Sequence, residues 1–312
     1  MVPVYVFGGF IESGKSSFIL DTLHNEDFTE GTSSLLIVLE QGSVDYDYGE
    51  LKENCLTDLV YVEKESDLTF ELFEDLNQKY HPSRVLIEFN GTWSMSNFLD
   101  VTAPDGWEIA QIMTTIDAST FSMYISNMRS MMYEQIVHAE LIICNRCNEN
   151  TDYLFLRNNL KSINPNAQII YETEDGILDQ LPEGQLPFDI NQDPITIEDH
   201  DFGIWYMDAM ENPQKYKGKK IHVGGVVLKN EQYPDQFALS REVMVCCADD
   251  IAPIGFICYY RNASQLMPGE WVDVLATIDS YFDPDYHQEI IILEIEQLKI
   301  VPNKENNLVY YS

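Results

Sequence analysis

Residues 4–25, VYVFGGFIESGKSSFILDTLHN, constrain this chain more than any other stretch. Within them Gly9-Phe-Ile-Glu-Ser-Gly14-Lys15-Ser16 satisfies the pattern GxxxxGK[ST]. The pattern follows an apolar run, VPVYVF (2–7), and opens an amphipathic one, SSFILDTLHN (16–25). A buried strand, a glycine-rich turn and a helix start aim consecutive backbone N–H groups at one point, and the helix dipole reinforces them. Gly9, Glu12, Ser13, Gly14, Lys15, Ser16 and Ser17 are the candidate phosphate cradle. Lys15 suits the β- and γ-phosphates, and the Ser16 hydroxyl suits Mg²⁺. The competing reading is a strand–helix turn that holds no ligand.

The first half repeats the strand-then-helix alternation. Apolar runs at 34–40, 59–63, 84–89, 110–117, 140–145 and 167–172 are separated by helical patterns, notably 68–80 and 120–139. Such alternation predicts a doubly wound, mostly parallel α/β sheet. The strand runs are almost continuous in Val, Ile and Leu, as expected where both sheet faces are covered. The nucleotide-binding domain is expected over 1–175.

Beyond it the chain changes character. Residues 173–202 are acidic and carry prolines and glycines, which predicts an extended, self-repelling linker. A short helix at 203–215 would present Trp205, Tyr206 and Met210, so linker and helix together span 176–217. Five β runs then lie within 218–302, separated by turns such as MPGE and DPDY. They predict a small all-β, OB-like barrel, with Gly224 and Gly225 supplying a bend. A polar tail, 303–312, is expected to fray.

Charge narrows the partners. The chain has 18 Lys plus Arg against 52 Asp plus Glu, a net charge of −34 over 312 residues. That field opposes nucleic acid and anionic lipid, and favours cations, basic partners or a nucleotide shielded by Mg²⁺. The barrel has few Lys or Arg, so single-stranded nucleic acid is an unsuitable ligand for it. No apolar run approaches the ~20 residues that span a bilayer. Six cysteines in a chain of this length are no disulfide framework, and a cytoplasmic location is expected.

Three carboxylates stand where ligands bind in open α/β sheets, at the C-terminal ends of strands: Glu40, Glu88 and Asp117. Each either holds Mg²⁺ or an attacking water, or is a solvated strand-end acid. Lys15, Glu40 and Glu88 are the candidate catalytic set, and Ser16, Glu40 and Glu88 the candidate Mg²⁺ ligands. Asn145 opens NRCN, similar to the NKxD element that reads guanine. Its fourth position is Asn148, whose amide offers one acceptor oxygen where an aspartate offers two. Cys144-x-x-Cys147 reads as packing, because Cys144 falls in a strand. Met123, Met128, Met131 and Met132 read as core or interface rather than a copper site.

The ordered set GGFIESGKSS, VLEQG, IEFNG, TTIDAS and EQIVHAELIICNRCNEN resembles the CobW/HypB/UreG-type GTPases, specifically the CobW-like branch. The resemblance spans about 2–175. It implies GTP and Mg²⁺ as ligands, with Lys15 and Ser16 on phosphate and Mg²⁺. Glu40 and Glu88 would be switch or metal-site carboxylates, and Asn145 a base contact. It also implies a role in loading transition metals such as zinc or cobalt. Three features depart from the family: a single Cys55 where CxCC is expected, no histidine-rich store, and Asn148 in the base element.

REVMVCCADDIAPIGFICYY, in the second half, resembles a soluble domain that accompanies a group of predicted permeases. Its mark is Cys246, Cys247 and Asp249. These are either ligands for a soft or borderline cation such as Zn²⁺, or buried small side chains. The leading expectation is an Mg²⁺-dependent GTPase switch, tied to metal homeostasis and to a metal-receiving or permease-associated partner. The alternative is a scaffold that holds nucleotide without hydrolysing it.

Overall fold

The computed structural model describes residues 1–178, 186–230, 232–233, 235–244, 251–284, 287–304 and 307–309. They form two compact units that divide at Pro182.

In the first unit the strands are β1 (Val2–Gly8), β2 (Ser34–Val38), β3 (Thr57–Tyr61), β4 (Arg84–Glu88), β5 (Trp107–Asp117), β6 (Leu141–Cys147), β7 (Gln168–Thr173) and β8 (Gly176–Ile177). They make one sheet in the order β3-β2-β4-β1-β5-β6-β7-β8. All pairs are parallel except β7–β8. The helices are α1 (Lys15–His24), α2 (Glu26–Thr29), α3 (Tyr48–Asn54), α4 (Phe70–Tyr80), α5 (Met95–Leu99), α6 (Phe121–Asn127), α7 (Arg129–Ile136) and α8 (Tyr153–Ile163).

Strand alternation decides which helix covers which face. Val4, Val6, Val85 and Ile87 pack with Phe73 and Leu76 of α4 and Phe98 of α5. Their neighbours Phe7 and Leu86 pack with Ile19 and Leu23 of α1 and Leu51 of α3. Successive residues of a strand point to opposite faces, so a continuous apolar run covers both. Burying each such side chain contributes about 1.5–3 kcal/mol. The helix expected over 120–139 is broken at Met128, whose φ of −133° ends α6 and starts α7. The two pieces bury different residues, Phe121 and Ile125 in α6 and Met132 and Ile136 in α7. Of the four methionines there, Met132 is buried and Met123 and Met128 are exposed.

In the second unit are β9 (Ile195–Ile197), α9 (Phe202–Glu211), α10 (Pro213–Tyr216), β10 (Lys220–Leu228), β11 (Gln236–Met244), β12 (Ile251–Tyr259), β13 (Trp271–Asp283), β14 (Gln288–Val301) and β15 (Leu308–Val309). Pairings run β10–β11–β12–β14–β13 and return to β10, so the five strands close a ring. Only β12–β14 is parallel within it. The stretch expected as linker contributes to this core. β9 pairs with β10, and Ile195 and Phe202 are fully buried, while the helix expected at 203–215 is found as α9 and α10, with Trp205 and Tyr216 also fully buried. Trp205 meets Phe256 edge-on at 4.9 Å. Burial of large aromatics outweighs the local acidity that suggested an extended chain. Residues 308–309 of the expected tail add a strand beside β11.

Candidate nucleotide-binding site

The loop between β1 and α1 is shaped by glycines that tolerate no side chain. Gly14 has φ +101°, and a Cβ there would lie 2.5 Å from the Asn145 side-chain nitrogen. Gly91, at the end of β4, passes so close that a Cβ would sit 2.4 Å from the Gly9 carbonyl oxygen. The loop is then pinned from three elements. Asn145 Nδ2 donates to the Ser13 carbonyl at 2.6 Å. The Ser13 hydroxyl bonds Thr115 Oγ1 at 2.7 Å. Gly9 N–H donates to Gln135 Oε1 of α7 at 3.1 Å. Such a loop holds its donors in place before a ligand arrives, which is what phosphate cradles require.

Beside the loop opens a cavity. Its lining includes Glu12, Lys15, Ser16, Glu40, Glu88 and Arg146. Lys15 is buried, and its ammonium donates to Gly9 O at 2.7 Å, Phe10 O at 2.8 Å and Glu40 Oε2 at 2.7 Å. Ser16 Oγ donates to Glu88 Oε1 at 2.7 Å. Tyr46 donates its hydroxyl to Glu88 Oε2 at 2.7 Å. Burial pushes the Glu88 carboxyl above its ordinary value, against the pull of Ser16, Tyr46 and Lys15. Burial, with the Glu88 charge, pushes the Tyr46 hydroxyl up as well.

Glu12, a cradle candidate, turns its carboxylate to Ser43, accepting from the backbone N–H at 3.0 Å and the hydroxyl at 2.7 Å. These bonds hold its carboxyl below the ordinary value. Ser17 lines the same cavity. Asp117 accepts from Ser119 and pairs with Arg146, which also donates to Glu12 O at 2.9 Å. Burial would raise the Asp117 carboxyl, but those partners win and lower it.

The base element divides. Asn145 is in place, and its Oδ1 is a buried acceptor with no hydrogen-bond partner. Asn148 is exposed and is not part of the cavity lining. Its Oδ1 accepts from Asn150 N–H at 2.8 Å. The structure thus brings together Gly14, Lys15, Ser16, Ser17, Glu12, Glu40 and Glu88, with Gly9, Ser13 and Asn145 behind them.

Residues 3–171 match the CobW/HypB/UreG nucleotide-binding domain. The chain belongs to the CobW/HypB/UreG family. Residues 180–311 match the DUF1980 C-terminal domain. No curated protein matches the chain. Among solved structures it is similar to the Zn(II)-bound YjiA GTPase from E. coli, with 17% identity over 77% of this chain and 80% of that one and a TM-score of 0.44. It is also similar to the hydrogenase maturation factor HypB from Archaeoglobus fulgidus, with 15% identity over 56% and 82% and a TM-score of 0.39. A mitochondrial single-stranded DNA-binding protein from S. cerevisiae, Rim1, aligns with 28% of this chain and 99% of its own, at 11% identity and a TM-score of 0.20. Scores this low carry no argument, and the assignment rests on the family match.

Within the family frame, the metal candidates fare unevenly. Cys55, which stands where the resemblance leads one to expect CxCC, is buried at the end of α3, and burial raises its thiol. Cys144 is buried and raised, and Cys147 is pushed up to about 11, so both are packing thiols. Cys246, Cys247 and Asp249 lie outside the described residues. Among the described residues, no group of three or more His, Cys, Asp or Glu could hold a metal ion. No described helix is long and apolar enough to cross a membrane.

Three contributors escape the sequence motifs. Tyr46 sits in VDYD with nothing to mark it. Arg146 stands inside the base element but takes no role there by pattern. Gln135 offered one faint signal, a polar residue on the apolar side of a helix.

Proposed function

We propose that this chain is an Mg²⁺-dependent GTPase that works as a cytoplasmic switch in metal homeostasis. The observation that carries the hydrolase reading is the convergence of Lys15, Ser16, Glu40 and Glu88 on one cavity at the start of α1. The cavity's charged lining is Lys15 and Arg146 against Glu12, Glu40 and Glu88. Two cations facing three carboxylates would repel a bare triphosphate. A divalent cation resolves this, and the oxygen donors Ser16, Glu40 and Glu88 suit Mg²⁺ better than a softer ion.

The chemistry that follows is mostly positioning and charge neutralisation. Backbone N–H groups of the loop would hold the β-phosphate. Lys15 would exchange Glu40 for phosphate oxygens. Ser16 and Glu88 would hold Mg²⁺, which neutralises charge on the transferring group. Glu40, released from Lys15, would be free to place water.

The same contacts supply a switch. Lys15–Glu40, Glu12–Ser43 and Glu88–Tyr46 all tie the site to residues 40–46, between β2 and α3. A γ-phosphate that takes Lys15, with Mg²⁺ taking Glu88, would release this segment, and its loss would restore the ties.

The second unit is proposed as an OB-like barrel, supported by its closed ring of pairings. Delivery of a divalent transition metal, zinc or cobalt, to a receiving protein rests on family membership. The cytoplasmic assignment is supported by the free thiols of Cys55, Cys144, Cys147 and Cys258.

The test is GTP binding and hydrolysis, with ATP and XTP as competitors, in the wild type and in Lys15→Ala. Loss of both in the variant supports the assignment. Unchanged binding and turnover would reject it, and tight binding without turnover in the wild type would favour a non-catalytic scaffold. Equilibrium dialysis against zinc or cobalt, with and without GTP, tests the cargo; no stoichiometric site in either state rejects it.

A further inference from the structure

A second cavity lies against the same loop but on different elements. It shares Ile11 and Glu12 with the first and continues over Gly9–Ser13, the end of β5, α6 and α7. Its walls are largely apolar: Phe10, Ile116, Phe121, Tyr124 and Met132. Phe10 and Tyr124 meet in a tilted contact with ring centroids 4.8 Å apart. No part of the proposed hydrolysis uses it.

Gln135 lines this cavity and is 2% exposed. Its Oε1 is committed to the Gly9 N–H, which fixes the orientation of the amide. Nε2 is left as a buried donor with no hydrogen-bond partner. Buried donors are nearly always matched, so one carried by a residue that lines an apolar cavity asks for an acceptor. The two carboxylates of the lining are already satisfied, Glu12 by Ser43 and Asp117 by Ser119 and Arg146. They would repel an anionic acceptor, and a bare cation offers Nε2 nothing to bond.

We propose that this cavity binds a small, neutral, aromatic carbonyl compound. Its ring would lie among Phe10, Phe121, Tyr124 and Met132, and its carbonyl oxygen would accept from Gln135 Nε2. Because Gln135 also holds Gly9, occupancy alters nucleotide affinity at the neighbouring cavity, and nucleotide alters affinity here by the same factor. The binding site stands without the GTPase reading; only the coupling rests on it.

The experiment titrates the full chain with benzamide and, separately, with toluene, by ligand-observed NMR without nucleotide. The wild type is expected to bind benzamide saturably, about tenfold or more tighter than toluene. Gln135→Leu should bring the two affinities together, a change in ratio that a purely structural role for Gln135 would not produce. Met132→Trp should abolish both, with Thr120→Trp, at another point of the lining, as the second filling variant should the first not fold. Absence of saturable benzamide binding to the wild type overturns the proposal. So does equal affinity for the two probes, which would mean that Nε2 holds only water, or binding that survives both filling variants. Saturating benzamide should shift GTP affinity at least threefold; no shift overturns the coupling alone. Retained probe binding in Lys15→Ala separates this site from any failure of the nucleotide assignment.

Discussion

Two cavities share one glycine-rich loop, yet their walls differ in kind. One gathers two cations, three carboxylates and the Ser16 hydroxyl from the loop, the start of α1, the segment after β2, β4 and β6. The other gathers aromatic rings, a methionine and one unmatched amide from β5, α6 and α7. The loop backbone is common, so the elements packed on it, and not the motif itself, decide what each side can bind. The polar side suits an anion bridged by a divalent cation. The apolar side suits a neutral ring.

The strongest test of this contrast is Lys15→Ala. It removes a buried ammonium with three hydrogen bonds, and nucleotide affinity should fall about 100-fold, roughly 3 kcal/mol by calorimetry. Equal loss of benzamide binding would mean that the loop had collapsed and that the two cavities are not separable.

Glu88→Gln separates function from stability. Mg²⁺-dependent hydrolysis should drop about 10- to 100-fold. The folded-state pKa of Glu88 is raised, so its stabilising contribution belongs to the protonated form. That contribution is complete below the unfolded value of about 4.3 and is lost as pH rises through the folded value. At neutral pH the amide should therefore melt no lower than the wild type. A clearly lower Tm would show that the carboxylate's bonds to Ser16 and Tyr46 outweigh its burial.

Gly91→Ala touches the part both sides share. The new methyl would meet the backbone of Gly9 and Phe10, which cannot swing away. A destabilisation of about 1–3 kcal/mol is expected in urea unfolding, together with weaker binding in both cavities. An effect on one cavity alone would show that the loop segments move independently.

The smallest effect concerns Asp117, which lines the apolar cavity while holding Arg146 of the polar one. Its folded-state pKa is lowered, so its contribution is complete above the unfolded aspartate value of about 3.9 and is lost as pH falls through the folded one. The difference in Tm between the wild type and Asp117→Asn should thus shrink as the pH drops below about 4. A difference that stays constant down to pH 3 would deny the ion pair any part in stability.

Legibility from sequence followed the range of each interaction. Gly14, Lys15 and Ser16 were readable because their geometry is set within one turn of chain. Glu40 and Glu88 were readable as positions, since a strand end in an open α/β sheet is where ligands gather. Their partners were not. Ser16 meets Glu88 across 72 residues, and Gly9 meets Gln135 across 126. The acidic stretch before α9 misled for a related reason: local charge argued for an extended linker, while burial of Ile195, Ile197 and Phe202 and pairing of β9 with β10 decided otherwise.

By itself, then, the sequence determined the alternation of strand and helix, the glycine-rich turn between β1 and α1 and the run of β strands that follows. These depend on periodicity and on turns, both local properties. Only the tertiary structure decided that Tyr46 grips Glu88, that Arg146 reaches the glycine-rich loop, and that an aromatic cavity with an unmatched amide lies against the same loop. Each arises where side chains distant in sequence are forced to share volume, and periodicity carries no record of which ones will meet.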